Sequence, residues 1–502
     1  MEATAARYAR WKAPAEDGQA IIWPDPPDLL RDTRENHRRL STAHSVLVQN
    51  IPLSEVRRAM RRWLGHDDNQ LLLATGHQTE LHHPGVWVKN ALIDTVASKL
   101  DGRAFHFAVD TDEPKHLLLR WPGGSVPLSD DPNATRAEWS GLLAPPSPAH
   151  LASVEASFAA AASKWDFQPL VAEFLLSMRP HALSTATLPE ALAESLHRLD
   201  WGLGLRYDAM IVSPICVSEP YLVFVHHVLA RAGEFAAEYN AALQRFRTEN
   251  KIRTPGRPMP NLKRAADSCE VPFWLDLLAD GSRSRATVVR AGELWALRTP
   301  LGQDEFRFDP RADGWAAAGE LSLWLRRNNL RLSPRALTLT SVLRLLVADQ
   351  FVHGIGGGQY DQVLDLLIAG HFRLEPPRFS VTTATLFFPE AVGQPRVCLP
   401  CLLQDAHRFK HRALGQEKMR MVEQIAALPR RSPERSALFF EMHDKLSAAW
   451  AAPGANNWDQ RLRGAEERAQ AERVLFDREL FYAIQPREGP MGLIGQYRER
   501  FD

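Results

Sequence analysis

Cysteine is scarce, with only 4 among 502 residues. That is too few for a disulfide scaffold in a chain of this length, and a reducing cytoplasm is the default expectation. Net charge is missing too: 60 basic and 60 acidic residues cancel. No strong field therefore draws the chain toward nucleic acid or an anionic membrane. No apolar run approaches the length that spans a bilayer. The opening MEATAARYARWKAPAEDG holds no apolar core of the kind a secretory leader needs. No fixed-period repeat runs through the chain. What remains is the composition of an ordinary globular enzyme, 45% hydrophobic and 24% charged, long enough for roughly three domain-sized units.

The informative residues concentrate between 71 and 113. Residues 71–75, bounded by Gly76, read as a buried strand. A polar turn carrying His77, Gln78, Glu80, His82 and His83 follows. Pro84-Gly85 then opens a helix with apolar positions at 88, 92, 93, 96 and 100. Asp101-Gly102 is a turn signal, and 104–109 form a second short apolar run ending in Asp110-Thr111-Asp112-Glu113. The pattern is strand, helix, strand, with polar residues where the strands stop. In doubly wound sheets ligands bind at such carboxyl ends.

Elsewhere the signals are coarser. Residues 1–26 read as a surface arm and 28–64 as helix. Gly123-Gly124 centres a hairpin, and 148–202 are helical and Ala-rich. A buried strand is expected at 210–212, then one long helix from 218 to 250 and a Pro-rich stretch at 252–262. A second hairpin spans 287–297, with Phe306 and Phe308 alternating beyond it. The main sheet is expected to resume after Ser333-Pro334. A helix over 342–351 is expected to end in the glycines of 354–358, with a new helix from Gln359 and a strand over 380–388. Helical segments at 402–428, 433–451 and 458–484 are separated by Pro429 and by Pro453-Gly454-Ala455-Asn456-Asn457. They suit a helical hairpin or antiparallel coiled coil. The expected organisation is an N-terminal helical arm (1–66), the first half of an α/β core of parallel strands (67–214), and a connecting region (215–330). The second half of the core (331–397) and a C-terminal helical domain (398–502) complete it.

His77 and Gln78 lie where a strand ends and a helix begins, where free N–H groups favour anions. Lys89 on that helix adds positive charge. Asp110 and Asp112 are spaced to hold Mg²⁺, or to position an amine and take its proton; local turn bonding explains clustered acids equally simply. The glycine run 354–358 lacks the Lys-Ser/Thr of a phosphate loop. It reads either as a helix C-terminus or as a place of close backbone approach to a ligand, with Tyr360, Asp361 and Gln362 reaching toward it. Cys398 and Cys401 with His407 and His411 have zinc-like half-spacings, but the gap between the halves is far shorter than usual. Thiols acting as small apolar residues are the preferred account, and zinc is not expected.

TGHQTELHHPGVWVKN followed by VDTD resembles the cysteine ligase family of bacillithiol biosynthesis (BshC). That family has TGQQ, a Gly-Pro pair, a Lys on the next helix and EDHD after the next strand. Thr75, Gly76, Gln78, Pro84, Gly85, Lys89, Asp110 and Asp112 fall on matching positions; His77, Val109 and Thr111 depart from it. Leu332-Ser333-Pro334-Arg335 resembles the family's LSPN motif. GIGGGQYDQV at 354–363 resembles its Gly-Gly-x-Gly-glutamate-x-x-Tyr segment with altered glycine spacing, and 376–380 resemble its entry to the last core strand. The resemblance implies a Rossmann-like core, connecting domains and a coiled coil that pairs two subunits as a homodimer. It implies a ligase joining the carboxyl of cysteine, or a similar amino acid, to an amine acceptor such as an amino sugar conjugate. ATP or another nucleotide would activate the carboxyl. On this reading His77, Asp110 and Asp112 are catalytic. Gly76, Gln78, Lys89, Asn90, Gly356, Gly357, Tyr360, Asp361 and Gln362 bind substrate or nucleotide. Two alternatives stand beside it: a nucleotidyltransferase of the class I synthetase kind, and a ligand-binding scaffold without catalysis.

Overall fold

The structure is a computed structural model that describes residues 11–254, 256, 259–299, 305–335, 337–392, 397–451 and 456–502. By contact the chain forms two units, Met1–Leu386 with Arg478–Asp502, and Phe387–Asp477.

A six-stranded sheet organises the first unit. Its strands are β1 (Ala20–Trp23), β2 (Leu72–Gln78), β3 (Arg103–Val109), β4 (Asp208–Ile211), β5 (Gln350–His353) and β6 (Ser380–Ala384), in the order β1-β6-β5-β2-β3-β4. Neighbours are parallel except β1, which runs antiparallel to β6. The expected parallel grouping of 71–75, 104–109 and 210–212 is present, with 380–384 in the same sheet. Strands such as Leu72-Leu73-Ala74, fully buried, are covered on both faces. That is why they read as continuous apolar runs rather than alternating ones.

Helix α1 (Pro84–Leu100) links β2 to β3. Pro84 occupies its first turn, where no donor is lost, and the His83 ring accepts the Gly85 N–H at 3.1 Å. Asp101 ends it in the left-handed region, φ 51°. Gly102 must follow, since a Cβ there would lie 2.7 Å from the Leu71 carbonyl oxygen. Helix α2 (Leu188–Gly202) opens with a capping box between Thr187 and Glu190. Helix α3 (Ile355–His371) follows β5 directly.

Several expectations are corrected. Residues 342–351 are not one helix: Thr338–Val342 is α-helical, Leu343–Val347 is a π-turn, and Gln350–His353 is strand β5. A four-residue run buried throughout carries no period by which to tell strand from helix. The glycines 354–358 consequently open α3 instead of closing a helix. The main sheet resumes after Ser333-Pro334, as expected, at β5. Leu330–Pro334 belongs to a separate five-stranded sheet, where it pairs antiparallel with Ser268–Leu277. The 218–250 helix is two, Glu219–Ala230 and Ala232–Glu249. The 28–64 helix is also two, Pro26–Ser41 and Leu53–Trp63, joined through the short pair Leu47–Val48 and Ile51–Pro52. The N-terminal arm supplies β1, an edge strand of the main sheet.

The second unit contains α4 (Leu399–Arg412), α5 (Gly415–Ala427), α6 (Pro433–Ala451) and α7 (Asn456–Leu475). Met421, Met442 and Leu446 form its small core, with Leu414, Ile425 and Leu438 packed against them. The expected turn at Pro453-Gly454-Ala455 lies outside the described residues. Helix α7 ends at Leu475 rather than continuing to 484, and 478–502 group with the first unit. No helix among the described residues is long and apolar enough to cross a membrane.

Candidate functional site

Because the strands are parallel, β2, β3, β4, β5 and β6 all end at one edge of the sheet. The chain builds outward from β2 through β3 to β4, then returns to place β5 on the other side of β2. The order therefore reverses between β2 and β5, and open α/β sheets take ligands in the crevice at such a reversal. Gly76, His77 and Gln78 end β2, while His353 and Gly354 lead from β5 into α3.

His77 sets the chemistry of this edge. Its Nε2 lies 2.7 Å from Glu80 Oε1, and its side chain is 28% exposed. Burial, then the nearby charge of Lys89, hold its pKa well below the ordinary imidazole value. It is thus neutral at pH 7. In the tautomer that donates through Nε2 to Glu80, the lone pair lies on Nδ1. Glu80 is buried, and its second oxygen, Oε2, has no hydrogen-bond partner. A buried acceptor without a donor is costly, and such an orphan marks a place for a ligand group or a proton.

Lys89, one turn into α1, donates to the Gly76 carbonyl at 2.7 Å. Burial pushes its pKa down to about 7, with Glu80 opposing. Gln78 Nε2 donates to Asp112 Oδ2 at 3.1 Å, tying the end of β2 to the loop after β3. Gly76 sits tightly against β3, since a Cβ there would lie 3.1 Å from the Phe107 carbonyl oxygen. Three separate pairs thus cluster at the end of β2: Lys89 with Gly76, Gln78 with Asp112, and His77 with Glu80.

Below them lies a polar network that sequence reading missed. The His82 ring is 5.3 Å from His77 and 5.7 Å from His106. Burial, then His77, lower the His82 pKa to about 3. His106 Nδ1 meets Asn90 Oδ1 at 2.7 Å, and Asn90 Nδ2 donates to Asp200 Oδ2 at 3.0 Å. Asp200, on α2, also accepts from Tyr207, Tyr482 and Trp87. Burial raises its pKa, and these donors oppose the shift. A void of about 20 Å³ lies among Thr79, His82, Asn90, His106 and Tyr207, room for one water. His106 was detectable as a polar residue inside an apolar strand. Asp200 gave no signal, because its partners are remote in sequence.

The remaining candidates are placed differently. Asp110 is buried, and its carboxylate accepts the Ser213 N–H at 2.8 Å while its carbonyl accepts from Gly141. Burial raises its pKa against the Ser213 bond. It fastens the loops after β3 and β4. Asn90 is committed to the network. Asp361 is buried between Arg344 and His353, both 2.8 Å away, so it does not reach outward. Gly356 and Tyr360 are exposed at the start of α3, and Gln362 is buried. At Gly357 a Cβ would meet His353 Nδ1 at 2.8 Å.

The apolar-thiol account of Cys398 and Cys401 is corrected: both are exposed, and they form a disulfide. The bonded sulfurs are not available as zinc thiolates. His407 and His411 do share a helix face, with rings 4.1 Å apart. Among the described residues no group of three or more His, Cys, Asp or Glu side chains is arranged to hold a metal ion. A cavity of about 690 Å³ lies at the other end of the sheet, beside Arg103, Asp208 and Arg206. Arg103 pairs there with Asp208 and Lys99 with Asp502, while Arg206 lies over the Trp201 ring and donates to the Trp201 and Leu205 carbonyls.

No protein-family model matches the chain, and no curated protein sequence matches it.

Proposed function

We propose that this protein is an amide-forming ligase that joins the carboxyl of cysteine, or a similar amino acid, to an amine acceptor such as an amino sugar conjugate. The observation that carries the reading is the His77–Glu80 pair with its orphan oxygen, beside Lys89. Amide formation needs an amine that loses a proton as it attacks. Neutral His77 offers Nδ1 to take that proton, and Glu80 holds the imidazole in the required tautomer. The orphan Glu80 oxygen is suited to an N–H of the incoming amine. Lys89, charged or neutral near pH 7, supplies a donor for oxyanion charge. A free carboxylate also needs an oxygen converted into a leaving group, and ATP or another nucleotide would do this. Asp112 then orients Gln78 rather than acting as the base.

The strand order supports a Rossmann-like core, with two halves meeting at the reversal beside this pair. The TGHQ segment and the glycine-rich entry to α3, which resemble the BshC family, flank that reversal. The same reading includes a coiled-coil-like second unit that pairs two chains as a homodimer. Exposed Leu403, Phe409, Met419, Val422, Phe439 and Phe440 support it. Sedimentation of the full chain at micromolar concentration tests the dimer, and a monomer removes it.

A second reading, nucleotidyl transfer, is favoured by His83 at the start of α1. Burial, then Arg478, lower its pKa to about 4. One assay separates the readings: amino acids, nucleotides and amino sugars are offered together and products followed by mass. A thiol-bearing amide formed only with cysteine supports the ligase. A nucleotidylated product without amide supports the transferase. No turnover and no nucleotide binding would leave a non-catalytic scaffold.

A further inference from the structure

The second unit carries a reactive feature that the ligase reading leaves unused. Cys398 and Cys401 are joined in a disulfide and exposed, whereas Cys216 and Cys269 are buried and free. Burial raises the Cys216 thiol to about 12 and also raises Cys269, so neither offers a thiolate near neutrality. The bonded pair sits at the start of α4. Cys398 is the residue before the first turn, Leu399 and Pro400 begin the helix, and the Cys401 N–H points at Cys398 Sγ, 3.3 Å away.

This arrangement has two consequences. A bridge closing so short a loop removes little freedom from the unfolded chain, so bracing the fold is a poor account of it. When the bond opens, Cys398 Sγ is the sulfur that the Cys401 N–H and the positive end of α4 stabilise as thiolate. A stabilised thiolate is the better leaving group in thiol–disulfide exchange. Both sulfurs lie on an exposed stretch that a small thiol can approach.

We propose that Cys398–Cys401 is a thiol–disulfide exchange site whose substrates are low-molecular-weight thiols and their disulfides. A thiolate RS⁻ attacks Cys401 Sγ. The bond to Cys398 breaks, and its electron pair stays on Cys398 as thiolate. A second RS⁻ attacks the R-bound sulfur of the mixed disulfide, releasing RSSR and the Cys401 thiolate, and both protein sulfurs take up the protons the two thiols lost. Two RSH are oxidised to one RSSR while the protein disulfide is reduced to a dithiol; the reverse direction reoxidises it. The proposal stands on the cysteine pair and does not rest on the ligase reading.

The test uses the full chain equilibrated with reduced and oxidised glutathione at graded ratios, quenched by alkylation and read by peptide mass. The 398–401 peptide should pass from bonded to dithiol as the ratio rises, with Cys216 and Cys269 unlabelled while the protein stays folded. In Cys398→Ser, Cys401 should accumulate a glutathione mixed disulfide, whereas Cys401→Ser leaves Cys398 as a lone thiol. Its alkylation midpoint should fall below the ordinary thiol value of about 8.5, with labelling at pH 7 about tenfold faster than that of Cys401 in Cys398→Ser. A bond that stays closed at every ratio overturns the proposal. So does a reduced wild-type pair that never reforms it, or two single variants that alkylate at the same ordinary rate.

Discussion

Lys89 Nζ lies 2.7 Å from the Gly76 carbonyl oxygen, so the helix after the first core strand reaches back to that strand's end with a buried amine. Burial pushes this amine down to about 7 from an ordinary 10.5. Between those values the folded chain holds fewer protons than the unfolded one, so stability rises with pH across the window. The penalty is complete below about 7 and absent above 10.5. Lys89→Met, whatever its constant offset, should gain on the parent as pH falls from 10 to 7, by on the order of 1 kcal/mol per pH unit. Urea unfolding at several pH values measures this. A difference that does not change with pH would refute it.

On the proposed ligase reading, Glu80→Gln should lower turnover roughly 10²–10⁴-fold with the fold intact, because His77 loses the carboxylate that fixes its tautomer. Asp112→Asn should cost only about tenfold, since its side chain still accepts from the Gln78 amide. Steady-state rates of the two variants compare the roles. Equal losses would move the base to Asp112.

Acid should unfold the protein over a defined range. Burial, the leading cause at each, lowers His82 to about 3 and His83, His226 and His371 to about 4. Folded histidines thus bind fewer protons than unfolded ones below pH 6.5, and stability is lost as pH falls from there toward 4. Asp349 adds to the loss lower down. Burial favours its protonation, but Arg57, His37 and Arg61 prevail and hold it at about 2, a contribution lost as pH falls through 3.8 to 2. His226→Phe should raise stability by about 1 kcal/mol and flatten the dependence. Both His226 ring nitrogens are buried without partners, and the ring already packs on Phe308. An unchanged slope in urea titrations would count against this.

Asp200→Ala should destabilise the protein by about 3–5 kcal/mol, because Trp87, Asn90, Tyr207 and Tyr482 would all lose a buried acceptor. Asp200→Asn, which keeps one acceptor, should cost less. Thermal unfolding of both variants checks the order.

The glycine run at the start of α3 should divide under substitution. At Gly358 a Cβ would lie 2.5 Å from Val381 Cγ2, so Gly358→Ala should cost about 1–3 kcal/mol. At Gly356 a Cβ meets nothing within 4 Å, and Gly356→Ala should be neutral or up to about 1 kcal/mol stabilising. If Gly356→Ala nonetheless abolishes ligand binding, that glycine serves close approach to the ligand.

Local patterns in the sequence decide much of the architecture. The run at 71–75, the Pro84-Gly85 entry, the Asp101-Gly102 exit and the run at 104–109 carry their own boundary signals, so the unit from β2 to β3 was legible as written. Strand β5 was not, because four buried residues have no period. Its misreading inverted the meaning of the glycines that follow it. The link between Gln78 and Asp112 follows from parallel strands ending together, which the sequence implied. The roles within the site did not follow. Asp110 and Asp361 look alike as acids near strand ends, yet one is taken by Ser213 and the other by Arg344 and His353. Those partners are distant or shared, and only packing brings them near. Glu80 was one more polar residue in a turn until folding buried it and left an oxygen without a donor. Residue type and order are local properties, but burial and pairing are set by the whole chain, and it is these that separate a structural acid from a reactive one.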